Sequence, residues 1–157
     1  MERKYKYNSR AKTRQKRTEF DVQKALCKYV GYKYPNAEYF SDLAGTHKKA
    51  TKEYQLRKGR GWPDWMLFEV MDTRFNGLML ELKKEGQEKY MFNMDGSLKK
   101  NVHLQEQLTK IYKLRERGFC AGFAIGSAAA CCAVDAYLSG DMAKLNRYIW
   151  PAIKPIF

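Results

Sequence analysis

Residues 78–85 read LMLELKKE and have the alternation of a β-strand with one apolar face and one charged face. Side chains of a strand point alternately to its two sides. The two faces are formed by Leu78, Leu80 and Leu82 and by Met79, Glu81 and Lys83. Glu81 and Lys83 are thus neighbours on one side, roughly 6 to 7 Å apart along the strand. Charges inside an apolar strand are costly unless they are paired or bind a metal, so this pair is a candidate site.

A second strand is predicted just before the first, in the apolar residues 65–71. It follows the stretch GRGWPDWMLF of residues 59–68, where Asp64 stands at the start of the strand after Pro63. Asn76-Gly77 favours a tight hairpin turn between the two strands. Across such a hairpin Asp64 could approach Glu81.

Phosphodiester cleavage would explain why two carboxylates and a lysine are brought together. Mg²⁺ is held by one or two carboxylates together with water and phosphate oxygens, and a bound metal lowers the pKa of its water. A lysine beside the metal can orient or deprotonate the attacking water and offset the charge on phosphorus. The alternative is a structural hairpin with an ordinary Glu-Lys pair, because Glu-x-Lys alone is common.

Upstream, Thr18 and Asp21 predict the start of a helix by a capping box. Its apolar side would consist of Val22, Leu26, Tyr29 and Val30, and Gly31 would end it. Residues 37–44 are predicted to form a short strand before a polar, basic loop over residues 45–61.

Downstream, Asp95-Gly96 predicts a hairpin-like turn, and residues 104–117 predict a helix that Gly118 ends. The inner side of that helix would carry Gln107, Ile111 and Leu114. Residues 119–125 predict a buried strand, and Ser127 is expected to cap a further helix reaching about Leu138. The order of elements indicates an α/β fold in one domain, residues 18–140. A basic arm over residues 1–17 precedes this domain, and an unassigned extension over residues 141–157 follows it.

The charge of the chain points to a polyanionic partner. Its 157 residues contain 30 Lys and Arg against 17 Asp and Glu, a net charge of +13. Such a balance favours nucleic acid, although ribosomal and membrane-surface proteins share it. The uncharged residues 119–134 are broken by Gly126-Ser127 and are shorter than the roughly 20 residues of a membrane span. The cysteines at 27, 120, 131 and 132 lack zinc-binding spacing, so reduced thiols and a cytoplasmic location are predicted.

Basic residues are concentrated in two segments that could contact phosphates. One is the arm of residues 1–17, and the other is the loop that leads into the site, with Lys48, Lys49, Lys52, Arg57, Lys58 and Arg60. Solvated, non-binding segments are the alternative for both. Trp62 could stack on a base or could simply pack. His47 and His103 suit no metal spacing and are interpreted as loop and helix-start residues.

Taken together, these elements resemble the VRR-NUC group of the PD-(D/E)xK nucleases, which occurs in phage proteins and in a eukaryotic DNA crosslink-repair nuclease. The resemblance covers roughly residues 18–138. Asp64 matches the Asp of the Pro-Asp motif, and Glu81 and Lys83 match the acid and lysine of the Glu-x-Lys motif. The family's acid on the first helix matches Glu19, and its glutamine element matches Gln107, Leu114 and Gly118.

The resemblance implies a restriction-endonuclease-like αβββαβ core, with a mixed sheet flanked by helices and an extra C-terminal helix. It implies Mg²⁺ or Mn²⁺ bound by Asp64, Glu81 and the carbonyl of Leu82, with Glu19 as a further ligand, and a catalytic role for Gln107. It also implies a structure-selective DNA endonuclease that acts on double-stranded or branched DNA as a homodimer, in a bacterial or phage-infected cell. The alternative is a non-catalytic nucleic-acid-binding protein with the same fold; a ribosome-associated protein is a third reading.

Overall fold

The computed structural model describes residues 18–42, 61–71 and 73–153. Helices and strands are numbered along these residues. The elements are α1 (Glu19–Lys33), β1 (Tyr39–Ser41), β2 (Trp65–Leu67), β3 (Leu78–Lys83), α2 (Glu88–Met91), α3 (Val102–Arg115), β4 (Cys120–Ile125), α4 (Ser127–Leu138) and α5 (Met142–Tyr148).

The four strands form one mixed sheet in the order β1-β2-β3-β4. β1 and β2 pair antiparallel, as do β2 and β3, whereas β3 and β4 are parallel because α2 and α3 intervene. This confirms the predicted α/β class and the αβββαβ order. β1 and β2 are shorter than predicted, and β3 ends at Lys83, two residues before the end of the stretch 78–85. The predicted buried strand of residues 119–125 is β4, which begins one residue later.

Each face of the sheet has its own hydrophobic cluster. The leucines of β3 face a cluster shared with α1, α4 and α5. Met79 faces a second cluster with Ile111 and Leu114 of α3. The alternation of residues 78–83 is therefore confirmed, and it places Glu81 and Lys83 on the side of the sheet that α3 covers.

The predicted turn at Asn76-Gly77 is wrong. The chain reverses at Thr73 and Arg74, between Met71 and Phe75, which form an isolated bridge. Gly77 is required for another reason: a Cβ there would lie 2.5 Å from the carbonyl oxygen of Leu67. The Asn-Gly pair thus marks a close approach between β2 and β3 rather than their turn.

Predicted boundaries of three helices also differ from the structure. The capping box of Thr18 and Asp21 is present, but Gly31 does not end α1, which continues to Lys33 and stops before Pro35. Ser127 is the first residue of α4, and Gly126, with φ of 86°, occupies the cap position without a side-chain hydrogen bond. α3 spans Val102–Arg115 and so begins and ends two residues before the predicted 104–117; Gly118, with φ of 80°, follows it.

The extension that the sequence left unassigned packs onto the domain. α5 buries Leu145, and Trp150 then forms a bridge with Phe123 along the outer edge of β4. Asn146 fixes the segment by exchanging two hydrogen bonds with the backbone of Ile153, of 3.0 and 2.7 Å. Within the described residues, no helix is long and apolar enough to cross a membrane.

Candidate functional site

Asp64 stands immediately before β2 and is held there by contacts to β3 and α1. Its Oδ2 accepts a hydrogen bond of 2.8 Å from the backbone N–H of Leu82. Because Trp65 pairs with Leu80, the antiparallel register sets Asp64 opposite Glu81, the approach that the sequence predicted. The buried amide of Gln23 on α1 donates 3.0 Å to the Asp64 carbonyl, so α1 fixes the backbone of this residue.

Glu81, Lys83 and Gln107 form a buried polar cluster between β3 and α3. Their exposed fractions are 2%, 5% and 4%. Lys83 Nζ donates 2.9 Å to Glu81 Oε1, and Gln107 Nε2 donates to the same oxygen. The structure therefore brings the predicted glutamine of α3 directly onto the predicted acid of β3.

Glu19 lies at the rim of this cluster. Its Oε1 is 3.7 Å from Lys83 Nζ, and its side chain is half exposed. The first residue of α1 therefore reaches the site, where it pairs with Lys83. Asp21 is engaged instead in the capping box.

Burial or the neighbouring charges raise the pKa values of Asp64, Glu81 and Lys83. Burial raises the pKa of Asp64 to about 6, against the lowering effects of the Leu82 N–H and of Lys83. Burial also raises the pKa of Glu81 well above its usual value, and the charge of Asp64 adds to that rise. For Lys83, burial acts to lower the pKa, but the combined charges of Glu81 and Glu19 raise it. The lysine is thus held in its protonated form.

The donor set fits a hard cation. Four buried side-chain atoms of the described residues have no hydrogen-bond partner, which is costly in a folded protein. Two of them, Glu81 Oε2 and Gln107 Oε1, belong to this cluster, and the others are Ser41 Oγ and Trp65 Nε1. Within the same ranges, no three His, Cys, Asp or Glu side chains are grouped to hold a metal. A cation would therefore depend on two carboxylates and on neutral oxygens, which is the pattern that Mg²⁺ prefers.

Three residues of the site were missed or undervalued in the sequence. Asp42 donates its backbone N–H to the Asp64 carbonyl at 2.7 Å, and its charge helps to raise the pKa of Asp64. Gln23 binds the carbonyl of Asp42 at 2.6 Å as well as that of Asp64. His103 is in the first turn of α3, as predicted, but its Nε2 also lies 3.1 Å from Gln107 Nε2. The sequence signal available was the i, i+4 spacing of His103 and Gln107 on one helix.

The predicted phosphate-binding residues lie outside the described part of the chain. These are the arm of residues 1–17, together with His47 and the basic loop that contains Lys48, Lys49, Lys52, Arg57, Lys58 and Arg60. The described chain ends at Asp42 on one side of this loop and resumes at Gly61 on the other. Both ends adjoin the site, since Asp42 and Asp64 share a backbone hydrogen bond.

Comparison with known proteins supports the fold. No family model matches the sequence, and no curated protein matches it. Among solved structures, a VRR_NUC domain protein is similar, with a TM-score of 0.56 and 19% identity over 78% of this chain and 89% of that chain. At this identity the likeness shows a shared fold, and it agrees with the mixed four-stranded sheet described above.

Proposed function

We propose that this chain is a nuclease that hydrolyses the phosphodiester backbone of DNA with the help of Mg²⁺ or Mn²⁺. The observation that carries the proposal is the convergence of the half-buried Asp64 on the buried pair of Glu81 and Lys83, with one Glu81 oxygen left without a partner. An ordinary structural ion pair would satisfy its acceptors. The shared fold with a VRR_NUC domain protein supports the same reading.

Asp64, Glu81 and the Leu82 carbonyl would hold the cation. The N–H and C=O of one strand residue point to the same side. Since the Leu82 N–H points to Asp64, its carbonyl faces the same edge. Asp64 and Glu81 must lose their protons for the cation to bind, so their raised pKa values make binding favoured by higher pH. When bound, the metal supplies an activated water and neutralises charge on the phosphate.

Lys83 contributes as a cation rather than as a base. The carboxylates around it raise its pKa, so it carries a proton at neutral pH. A protonated lysine can orient the attacking water through its N–H groups and offset the negative charge that develops on the phosphate. Gln107, which donates to Glu81, holds that carboxylate in position.

The net charge of +13 supports a nucleic-acid substrate. Contacts of this kind are made to phosphates and read no bases, which favours selection of DNA by its shape. We therefore include junction or branched DNA as the preferred substrate and a homodimer as the working form, since a two-fold dimer presents two sites to one branched molecule.

The test is cleavage of plasmid and branched DNA by the purified chain in Mg²⁺, Mn²⁺ or EDTA. We expect cutting that requires metal, and a loss of about 100-fold or more in each of Asp64→Asn, Glu81→Gln and Lys83→Ala, with salt-dependent DNA binding retained. Glu88→Gln and Lys144→Ala make the same chemical changes at exposed sites on other elements and should cut normally. Binding without metal-dependent cutting would leave only a binding protein, and full activity in any of the three site variants would contradict the assigned residues.

A further inference from the structure

A groove of about 1080 Å³ runs along the outer side of α3, next to the candidate site. Trp62 forms one wall, and Thr109, Lys110 and Lys113 on the exposed side of the helix form another. Its charged lining residues are Lys100, Lys110, Lys113 and Arg117 against Glu106 and Glu116. The groove thus carries an excess of positive charge around an aromatic ring.

The ring of Trp62 is already used as a cation-binding surface. Lys110 Nζ lies 4.4 Å from the centre of that ring, within the range of a cation–π contact. A nucleobase could stack on the same ring face in place of Lys110. The Lys110 ammonium group would then lie beside the phosphate of that nucleotide. Proteins that bind single strands combine these two features, a positively charged groove and an aromatic ring for stacking.

The groove and the site are joined through Gly61. This residue has φ of 78°, and a Cβ on it would lie 2.9 Å from the Glu106 carbonyl and 3.0 Å from Cα of Gln107. The chain therefore crosses α3 in close contact immediately before Trp62. Gln107 reaches inward from that crossing to Glu81, whereas Glu106 and Lys110 face the groove. The groove and the candidate site are thus connected through α3 and the Gly61-Trp62 segment.

We propose that this groove binds an unpaired strand of the DNA substrate, with a base stacked on Trp62 and phosphates beside Lys110 and Lys113. The inference rests on the proposed function and names the part of the substrate that the site would select. Bases inside a duplex are stacked on both faces, so an interior base must be unpaired before it can use the ring. Selection of branched DNA then follows from the groove without any contact to a base edge.

The test is tryptophan fluorescence during titration with a single-stranded oligonucleotide and with a blunt duplex, both in EDTA so that no cleavage occurs. Of the other tryptophans, Trp65 is fully buried and Trp150 packs on Phe92 and Phe123. We expect quenching by the single strand, weak quenching by the duplex, and loss of the signal in Trp62→Phe. Trp62→Ala should weaken single-strand binding about 10-fold, and Trp62→Phe should retain most of the affinity.

Lys113→Ala and Lys144→Ala provide a matched pair, because Lys144 lies on α5, across the sheet. Lys113→Ala should reduce the slope of log K against log salt for single strands by about 0.7, and Lys144→Ala should leave it unchanged. Equal quenching by single strand and duplex, or equal effects of the two lysine variants, would overturn the groove assignment. These binding measurements need no metal, so they test the groove separately from the proposed cleavage. The groove assignment can fail while metal-dependent cleavage is observed, and it can hold while no cleavage is observed.

Discussion

Asp64 Oδ2 accepts a 2.8 Å hydrogen bond from the backbone N–H of Leu82, so an acid from the start of β2 is fixed to the strand that carries Glu81 and Lys83. The bond occupies one carboxylate oxygen and leaves the other for a ligand. It also links the geometry of the site to the pairing of β2 with β3. The charge of this carboxylate serves metal binding, but its burial lowers the free energy of unfolding.

Asp64→Asn is therefore predicted to stabilise the protein while it abolishes cutting. The pKa of Asp64 rises from 3.8 to about 6, so the folded state holds this proton more tightly than the unfolded state does. The contribution of Asp64 to the free energy of unfolding is greatest below pH 4 and is lost as the pH rises to 6. An asparagine keeps the acceptor for Leu82 and does not ionise, so the variant should gain on the order of 1 to 3 kcal/mol above pH 6.

Urea unfolding of both proteins at pH 4 and pH 8 measures this difference. We expect similar free energies of unfolding at pH 4 and a more stable variant at pH 8. A variant that is less stable at pH 8 would show that the Asp64 charge is well solvated or well paired in the native state.

Gln107→Leu is predicted to weaken the site through Glu81. Leucine preserves most of the buried volume but removes the amide that donates to Glu81 Oε1. Partners that orient a metal ligand typically contribute 10- to 100-fold in affinity or activity, so we expect a loss in that range in both Mn²⁺ affinity and cleavage rate. Calorimetric titration with Mn²⁺ checks it, and unchanged affinity would place Gln107 in a packing role.

The site was predictable where it depended on local pattern and was not where it depended on long-range contacts. Alternation in residues 78–83 places Glu81 and Lys83 on one side of β3, and Pro63 marks Asp64 at the start of β2. Nothing local distinguishes Gln23 or Asp42, which matter because the fold brings α1, the end of β1 and Asp64 together.

The errors in the predicted fold also arise from long-range contacts. Asn76-Gly77 has the composition of a turn, but Gly77 serves a close backbone approach to Leu67, and Asn76 donates its side chain to the Arg117 carbonyl at 3.2 Å. Similarly, Gly31 packs near the Tyr39 hydroxyl within a continuing helix. A glycine signals that a Cβ is not tolerated or not needed, and the sequence alone does not say which neighbour is responsible.

Asp135→Ala is predicted to loosen the packing of α1 against α4. Asp135 accepts hydrogen bonds from Tyr29, Lys33 and Tyr34, at 2.7 to 2.8 Å, and Lys33 acts to lower its pKa against the effect of burial. The cluster is partly exposed, so we expect a loss of about 1 to 2 kcal/mol. Tyr29→Phe removes one donor and should cost less. Thermal unfolding measures both, and a neutral Asp135→Ala would show that solvent replaces these bonds.

Arg115→Ala is predicted to release the C-terminal segment. The guanidinium donates to the carbonyls of Ala121, Ala152 and Pro151, which joins α3, β4 and the residues after Trp150. Burial lowers the pKa of Arg115. The three carbonyls hold its guanidinium group in position. Limited proteolysis should cut the variant near residue 150 at a rate well above wild type, whereas Arg147→Ala, an exposed arginine on α5, should behave as wild type. Equal rates would mean that Trp150 packing and the Asn146 hydrogen bonds to Ile153 hold the segment without Arg115.

The most direct measurement of the central claim is anomalous scattering from a crystal of the protein soaked in Mn²⁺. We predict a peak within bonding distance of a carboxylate oxygen of both Asp64 and Glu81 and of the Leu82 carbonyl, and its loss in Glu81→Gln. A saturated crystal with no peak there, or with the two carboxylates and Lys83 turned away from one another, would contradict the account.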